Sequence, residues 1–415
     1  MKTDLQIILT RTKEATTIFS LLSAEQKKKI LFDLADILQK HKETILIENK
    51  KDIDQALKNG RSKSFIDRLT LTDKTFSTML EQVKQIAELP DGLGETIEER
   101  TLANGVLLKK IRVPLGVIAL IYESRPNITI DAAALCLKSG NAVVLKGGSE
   151  ALNTNRVLVN CIQQVLKKHN IPEEAITFLD TSDRNVVTEL LKQNQFIDVV
   201  IPRGGYDLVQ KIVSESKIPV LYHASGGARI YVDESANLDI ALNVITNAKT
   251  NRPATCNSLD TVIVNKNIAK EFLPLLVNKL QEFNVKVLGD GETKKIIKVE
   301  KATAQDYATE FLDLVLTIKI VNNIDEALAF IKTNTKNHTE GIIAENKGII
   351  NKFISSVDAA GIFVNCSTRL HDGGIFELGA EMGVATGKLH ARGPVGLKEL
   401  TTYKWVALGN GQIRE

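Results

Sequence analysis

The stretch Thr250-Asn251-Arg252-Pro253-Ala254-Thr255-Cys256-Asn257 joins two halves that both alternate helical and strand-like patterns. Before it, residues 238–248 are amphipathic; after it, Thr261-Val262-Ile263-Val264 is a short apolar run. Cys256 therefore falls in a loop that leaves a helix and starts a strand. Pro253 closes the helix, because proline lacks the N–H and disfavours a helical residue before it. This small, polar, unpaired setting suits a reactive thiol. The competing reading is a buried structural cysteine, the commoner fate of a free thiol.

Upstream, apolar strands at residues 115–121, 142–146, 176–179, 197–201 and 219–221 alternate with helical patterns at 128–138 and 151–168. Downstream, strands at 285–288, 315–321, 341–344 and 362–364 alternate with helices at 268–282, 324–333 and 347–356. Such alternation predicts an α/β fold with doubly wound parallel sheets. Ligands of such sheets sit at the carboxyl ends of strands. The first 90 or so residues read as a helical collar without chemistry, with Ser23 and Gln26 forming a capping box. Asn104-Gly105 predicts a hairpin between strands at 96–102 and 106–113, a candidate subunit contact or a plain surface ribbon. The tail, residues 403–413, is strand-like and could pair with that hairpin, within the subunit or across an interface.

At 415 residues the chain is long enough for two or three domains. A net charge of +3, with basic residues beside acidic ones, carries no nucleic-acid footprint. There is no apolar run of membrane-spanning length and no apolar signal region at the start. The four cysteines stand far apart without a C-x-x-C, so neither a zinc site nor a disulfide framework is expected, and a reducing cytoplasm is.

Two glycine turns follow strands: Lys146-Gly147-Gly148-Ser149 and Pro202-Arg203-Gly204-Gly205. Each puts flexible backbone and a cation where nucleotide phosphates or ribose lie, although neither is G-x-G-x-x-G. A third, Ala224-Ser225-Gly226-Gly227-Ala228-Arg229, lets backbone approach a cofactor or thioester closely. In Glu123-Ser124-Arg125-Pro126-Asn127, Arg125 offers a donor fork for carboxylate or phosphate, and Asn127 an amide for an oxyanion; a helix cap would explain Asn127 equally. Glycine is dense between residues 365 and 394, where Arg369, His371 and Arg392 are candidate anion ligands.

These pieces resemble the aldehyde dehydrogenase superfamily, and within it the branch that reduces acyl phosphates. The resemblance spans essentially the whole chain. It rests on Val113-Pro114-Leu115-Gly116-Val117, Tyr122 to Asn127, Pro202 to Gly205, Asn251 to Asn257 and His390-Ala391-Arg392-Gly393-Pro394. It implies two doubly wound α/β domains plus a β-hairpin oligomerisation element. The expected division is a cofactor domain at 1–225 with the hairpin at about 95–113, a catalytic domain at 226–360, and a return with an oligomerisation strand at 361–415.

The resemblance implies that Cys256 is the nucleophile, with Asn127 and a backbone N–H of Cys256 or Asn257 around the oxyanion. Lys146 and Ser149 would hold the adenosine ribose and its 2′-phosphate, beside Arg203, Gly204 and Gly205, and Glu310 the nicotinamide ribose. Substrate anions would meet some of Arg125, Arg252, Arg369, His371 and Arg392. The expected reaction is reduction of L-glutamyl 5-phosphate by NADPH to L-glutamate 5-semialdehyde through a cysteinyl thioester, in proline biosynthesis. Expected partners are a second copy of the chain and the glutamate 5-kinase that supplies the substrate. An oxidative NAD(P)-dependent semialdehyde dehydrogenase and a non-catalytic binding protein are the alternatives. Hydrolytic relatives carry a glutamate base where this chain has Ala224, which favours the reductase. Ala228-Arg229, Glu377 and Ala385 depart from the branch's usual residues.

Overall fold

Fully apolar runs become strands covered on both faces. In the computed structural model, which describes residues 3–223 and 225–414 (the side chain of Ser64 excepted), every residue of strand Val117–Tyr122 is buried. That strand lies inside a four-stranded parallel sheet in the order Ile176–Phe178, Ala142–Gly147, Val117–Tyr122, Val199–Arg203. Near-continuous burial is what a parallel sheet with helices on both faces requires. The strand expected at 219–221 reduces to a single bridge between Val200 and Val220.

The five N-terminal helices are Asp4–Leu21, Ala24–Lys40, Lys42–Lys58, Lys63–Leu69 and Asp73–Glu88. The capping box forms as expected, with Gln26 N–H donating to Ser23 Oγ at 3.2 Å and Ser23 N–H to Gln26 Oε1 at 2.8 Å. These helices are less a collar than one layer of the first core. Phe76, Val83 and Ile86 share a cluster with Ile130, Leu135, Leu158 and Leu120. Each such side chain contributes about 1.5–3 kcal/mol by leaving water.

The second sheet has seven parallel strands in the order Glu300–Lys301, Lys286–Gly289, Val315–Val321, Leu259–Asn265, Ala228–Val232, Thr339–Ile343, Gly361–Val364. It extends to Val364, four residues past position 360. Strand Leu259–Asn265, reached directly from the Cys256 loop, is central and wholly buried.

The hairpin forms between Thr96–Thr101 and Leu107–Pro114, with a positive φ at Gly105. The tail strand Thr401–Leu408 pairs with it antiparallel inside the same chain, Thr401 opposite Pro114 and Leu408 opposite Leu107. No helix among the described residues is long and apolar enough to cross a membrane.

Candidate active site

Helix Leu238–Thr250 delivers the chain to Asn251, and Arg252 then turns it at φ 53°. Thr255 Oγ1 lies 2.8 Å from Arg252 O and 3.0 Å from Asn257 Oδ1. Asn257 Nδ2 donates to His371 O at 2.9 Å. Arg369 donates through Nε to Asn251 O at 2.7 Å and through a terminal nitrogen to Asn257 Oδ1. The side chain of Arg369, expected on the substrate, and that of Asn257, whose backbone N–H was the oxyanion candidate, thus clamp the two ends of the Cys256 loop. Arg252 stays exposed on that loop. Arg392 pairs with Asp358 at 2.7 Å.

Gly226 sets how closely the loop is approached. A Cβ there would stand 2.5 Å from Cys256 O, 2.6 Å from Cys256 Cβ and 2.6 Å from Glu310 Oε1, so only glycine fits. Gly227 N–H donates to Cys256 O at 2.6 Å. Cys256 and Glu310, 54 residues apart in sequence (310 − 256), therefore meet across Gly226. Glu310 Oε2 accepts from Ser225 Oγ at 3.0 Å, and burial pushes this carboxyl up.

Burial also pushes the Cys256 thiol up, to about 11; Arg203 pulls it down, Glu381 and Glu310 push it up, and Arg369 pulls it down. Nearby cations lower a thiol that is to react as its thiolate. Here desolvation outweighs them, because removing the thiolate from water costs more than two partly offset arginines return.

Two imidazoles stand beside the thiol. One ligating atom each from His223, Cys256 and His338 lies within 4.8 Å of the others. His223 Nδ1 is 2.9 Å from Val384 O; a carbonyl only accepts, so this nitrogen carries the proton and Nε2 the lone pair. His338 Nδ1 is 2.6 Å from Thr339 Oγ1, which is 2.8 Å from His371 Nδ1. Nε2 of His338 and of His371 are buried and unpartnered among the described residues. Burial lowers His223 to about 4 and His371 to about 4, and holds His338 well below its usual value. His371, expected as an anion ligand, is thus neutral and enclosed, packed so tightly on Gly361 that a Cβ there would stand 2.8 Å from its ring.

A cavity of about 50 Å³ is lined by Arg125, Asn127, Asp131, Arg203, Glu381 and Met382, among others. Asn127 does not cap its helix; its Nδ2 donates to Asp131 Oδ2 at 2.9 Å. Burial raises Asp131 to about 7, against the pull of Asn127 and Arg203. Desolvation and then Arg203 lower Arg125 to about 10. Arg203, expected with the cofactor turn, points into this cavity, 3.8 Å from Glu381.

The remaining cofactor candidates lie at carboxyl ends of the first sheet. Lys146 Nζ donates to Gly147 O at 2.8 Å, and Ser149 is exposed just beyond. Gly204 and Gly205 are exposed before helix Tyr206–Glu215, which has no side-chain cap; Gly205 N–H donates to Glu123 Oε2 at 2.9 Å. A cation, a free hydroxyl, an uncapped helix start and a distant carboxylate form a donor set that suits a nicotinamide dinucleotide.

Sequence reasoning missed His338, Asp131 and Glu381. Asp131 had a signal, as the one acid inside the otherwise apolar helix Asn127–Lys138. His338 had none, because its neighbours come from other segments. Ala224, where a hydrolytic base was sought, lies outside the described residues. Arg229 faces the core instead of the site: it pairs with buried Glu340 at 3.2 Å and donates to Asn334 O.

A cysteine-bearing loop set between two doubly wound sheets defines the class, and similarity to known proteins agrees. The aldehyde dehydrogenase family model matches residues 1–296, and the chain belongs to that family. It is 45% identical over 413 residues to a gamma-glutamyl phosphate reductase of Caldanaerobacter subterraneus subsp. tengcongensis, covering 99% of this chain and 100% of the relative. A gamma-glutamyl phosphate reductase of Dictyoglomus thermophilum is 46% identical, covering 98% of each. The crystal structure of a gamma-glutamyl phosphate reductase from Thermotoga maritima matches with a TM-score of 0.97 and 42% identity over 100% of both chains. An acetylating aldehyde dehydrogenase from Geobacillus thermoglucosidasius shares the fold, with a TM-score of 0.71 at 18% identity over 99% of this chain and 98% of its own.

Proposed function

We propose that this chain reduces L-glutamyl 5-phosphate to L-glutamate 5-semialdehyde with NADPH, releasing phosphate, as a step of proline biosynthesis. The observation that carries this reading is the meeting of Cys256 and Glu310 across Gly226, beside a cavity lined by Arg125 and Arg203. The names of the near full-length relatives support the substrate.

Cys256 Sγ attacks the γ-carbonyl and passes its proton to a neutral imidazole, His223 or His338, both within reach. Asn127 spends one amide N–H on Asp131 and has a second for the oxyanion. Arg125 and Arg203 hold the phosphoryl group until it leaves, and a thioester remains on Cys256. Lys146 and Ser149 would hold the 2′-phosphate of NADPH and Glu310 its nicotinamide ribose, and the cofactor so held would supply the hydride that reduces the thioester. The thiol is then reprotonated as the semialdehyde departs.

Water attack needs a base. Residues 224–229 contain no acid, and the carboxylates nearest the thiol are engaged, Glu310 by Ser225 and Glu381 by Gly373 N–H at 2.9 Å, so the bases left near the thiol for water are the imidazoles of His223 and His338. We expect phosphate, held by Arg125 and Arg203, to reach the acyl-enzyme ahead of water in the reverse direction. Oxidation of the semialdehyde with NADP⁺ should stall after one turnover without phosphate, and resume on adding phosphate or arsenate. Sustained phosphate-free production of glutamate would instead mean an oxidative dehydrogenase.

The ribbon of Thr96–Thr101, Leu107–Pro114 and Thr401–Leu408 exposes Tyr403, Trp405 and Leu408, which supports a homo-oligomer contact. The supplier of this substrate is a kinase that phosphorylates the γ-carboxylate of glutamate. Four free cysteines suit a reducing cytoplasm.

A further inference from the structure

Beyond the reduction, we propose that His223, Cys256 and His338 form a site for one soft divalent cation, Zn²⁺ by its ligand chemistry, which silences the thiol when bound. Binding does not depend on the reductase reading; only the silencing does.

Three observations converge. The three ligating atoms already lie within 4.8 Å of one another. In a tetrahedral zinc site, bonds of about 2.0–2.3 Å place ligands roughly 3.5 Å apart, so the trio must close by about 1 Å, within the reach of side-chain rotation. Second, the nitrogen chemistry is prepared. Val384 O fixes the proton of His223 on Nδ1, as an outer-sphere carbonyl does for metal-bound histidines, and frees Nε2. His338 is completely buried, and its Nε2 has no partner among the described residues. An unpartnered buried nitrogen is a costly group, and a metal bond would satisfy it. Third, the electrostatics admit a cation. Glu381 and Glu310 face the same thiol and offset Arg203 and Arg369, and the thiolate formed on binding adds a negative charge of its own.

The chemistry balances without a redox partner. As the Zn–S bond forms, Cys256 loses its thiol proton to solvent. Both imidazoles bind as neutral donors through Nε2, and water takes the fourth position. The sulfur lone pair needed for attack on a carbonyl is then committed to the metal.

Co²⁺ added to the reduced full-length protein serves as a spectroscopic stand-in. The expected result is one cobalt per chain, with a sulfur-to-cobalt charge-transfer band and the intense visible bands of tetrahedral geometry. Zn²⁺ should displace it and protect Cys256 from iodoacetamide. Cys256→Ser should abolish the charge-transfer band. His223→Gln and His338→Gln should each weaken binding at least about tenfold, the loss that even an outer-sphere partner causes. Should His338→Gln not fold, the Cys256→Ser spectrum and His223→Gln decide. A spectrum without the sulfur band, a band that survives Cys256→Ser, or affinity unchanged in the histidine variants overturns the site. Full zinc occupancy with undiminished phosphate-dependent turnover overturns the silencing and, with it, the nucleophile role of Cys256.

Discussion

The four-stranded sheet meets the cleft with the carboxyl ends of its strands, whereas the seven-stranded sheet meets it with the amino ends. Tyr122, Gly147 and Arg203 close their strands at the cleft, and helices begin just beyond them. Gly227, Cys256 and His338 instead precede strands Ala228–Val232, Leu259–Asn265 and Thr339–Ile343. The first edge offers helix N-termini, lysine and arginine, all favourable to phosphates. The second offers helix C-termini, a desolvated thiol and neutral imidazoles. On the proposed reading, one sheet holds an anion and the other presents the nucleophile. The rule that ligands gather at carboxyl ends describes only the first.

This division predicts which changes harm chemistry and which harm binding. The largest effect should come from Cys256→Ala: turnover falls on the order of 10⁴-fold or more, while NADPH still binds, measured by fluorescence titration. Parallel loss of cofactor binding would mean that the two edges do not act separately. Cys136 and Cys161, buried in the first core, should tolerate alanine with activity kept.

Arg229 belongs to the core behind the second edge. Arg229→Ala leaves Glu340 as an unpaired buried acid and should cost about 3–5 kcal/mol in urea unfolding. Pairing it with Glu340→Leu should restore most of that loss. A Michaelis-constant effect without a stability effect would place Arg229 in the site after all.

Ser149→Glu tests the first edge. NADPH affinity should fall by about 1–3 kcal/mol through repulsion and a lost hydrogen bond, with NADH affinity changed far less. Equal losses would remove Ser149 from the 2′-phosphate.

The last test is a pH slope. With the thiol held near 11, the thiolate fraction of the free protein should rise about tenfold per pH unit, and iodoacetamide labelling of Cys256 with it, from pH 7 to 10. Arg203→Gln should displace that curve to higher pH, since Arg203 stabilises the thiolate. A plateau near neutrality would show a preformed thiolate and contradict the desolvated edge.

Much of this architecture was legible in the sequence because its signals are local. Apolar runs of strand length, Pro253 after its helix and Asn104-Gly105 in its turn each act through their own backbone. The position of Cys256 between helix and strand is of the same kind. Arg369 and His371 were legible as polar residues in a glycine-rich stretch, but their work was not. Arg369 reaches back to Asn251 and Asn257, and His371 is buried against Thr339 and Gly361. Arg229 looked like a change in the site, yet strand alternation turns it into the core.

The sequence by itself determined the strand–helix alternation, the loop that carries the thiol, the glycines that admit close approach and the family these motifs resemble. The tertiary structure alone decided that Glu310 stands across Gly226 from Cys256, that Arg203 turns toward the cavity lined by Arg125 and Asn127, and that His338 joins the thiol. It also decided that burial outweighs the neighbouring arginines and keeps the resting thiol protonated. These facts depend on distances between segments far apart in the chain and on how much water the folded protein excludes, and neither is set by any one segment's own preferences.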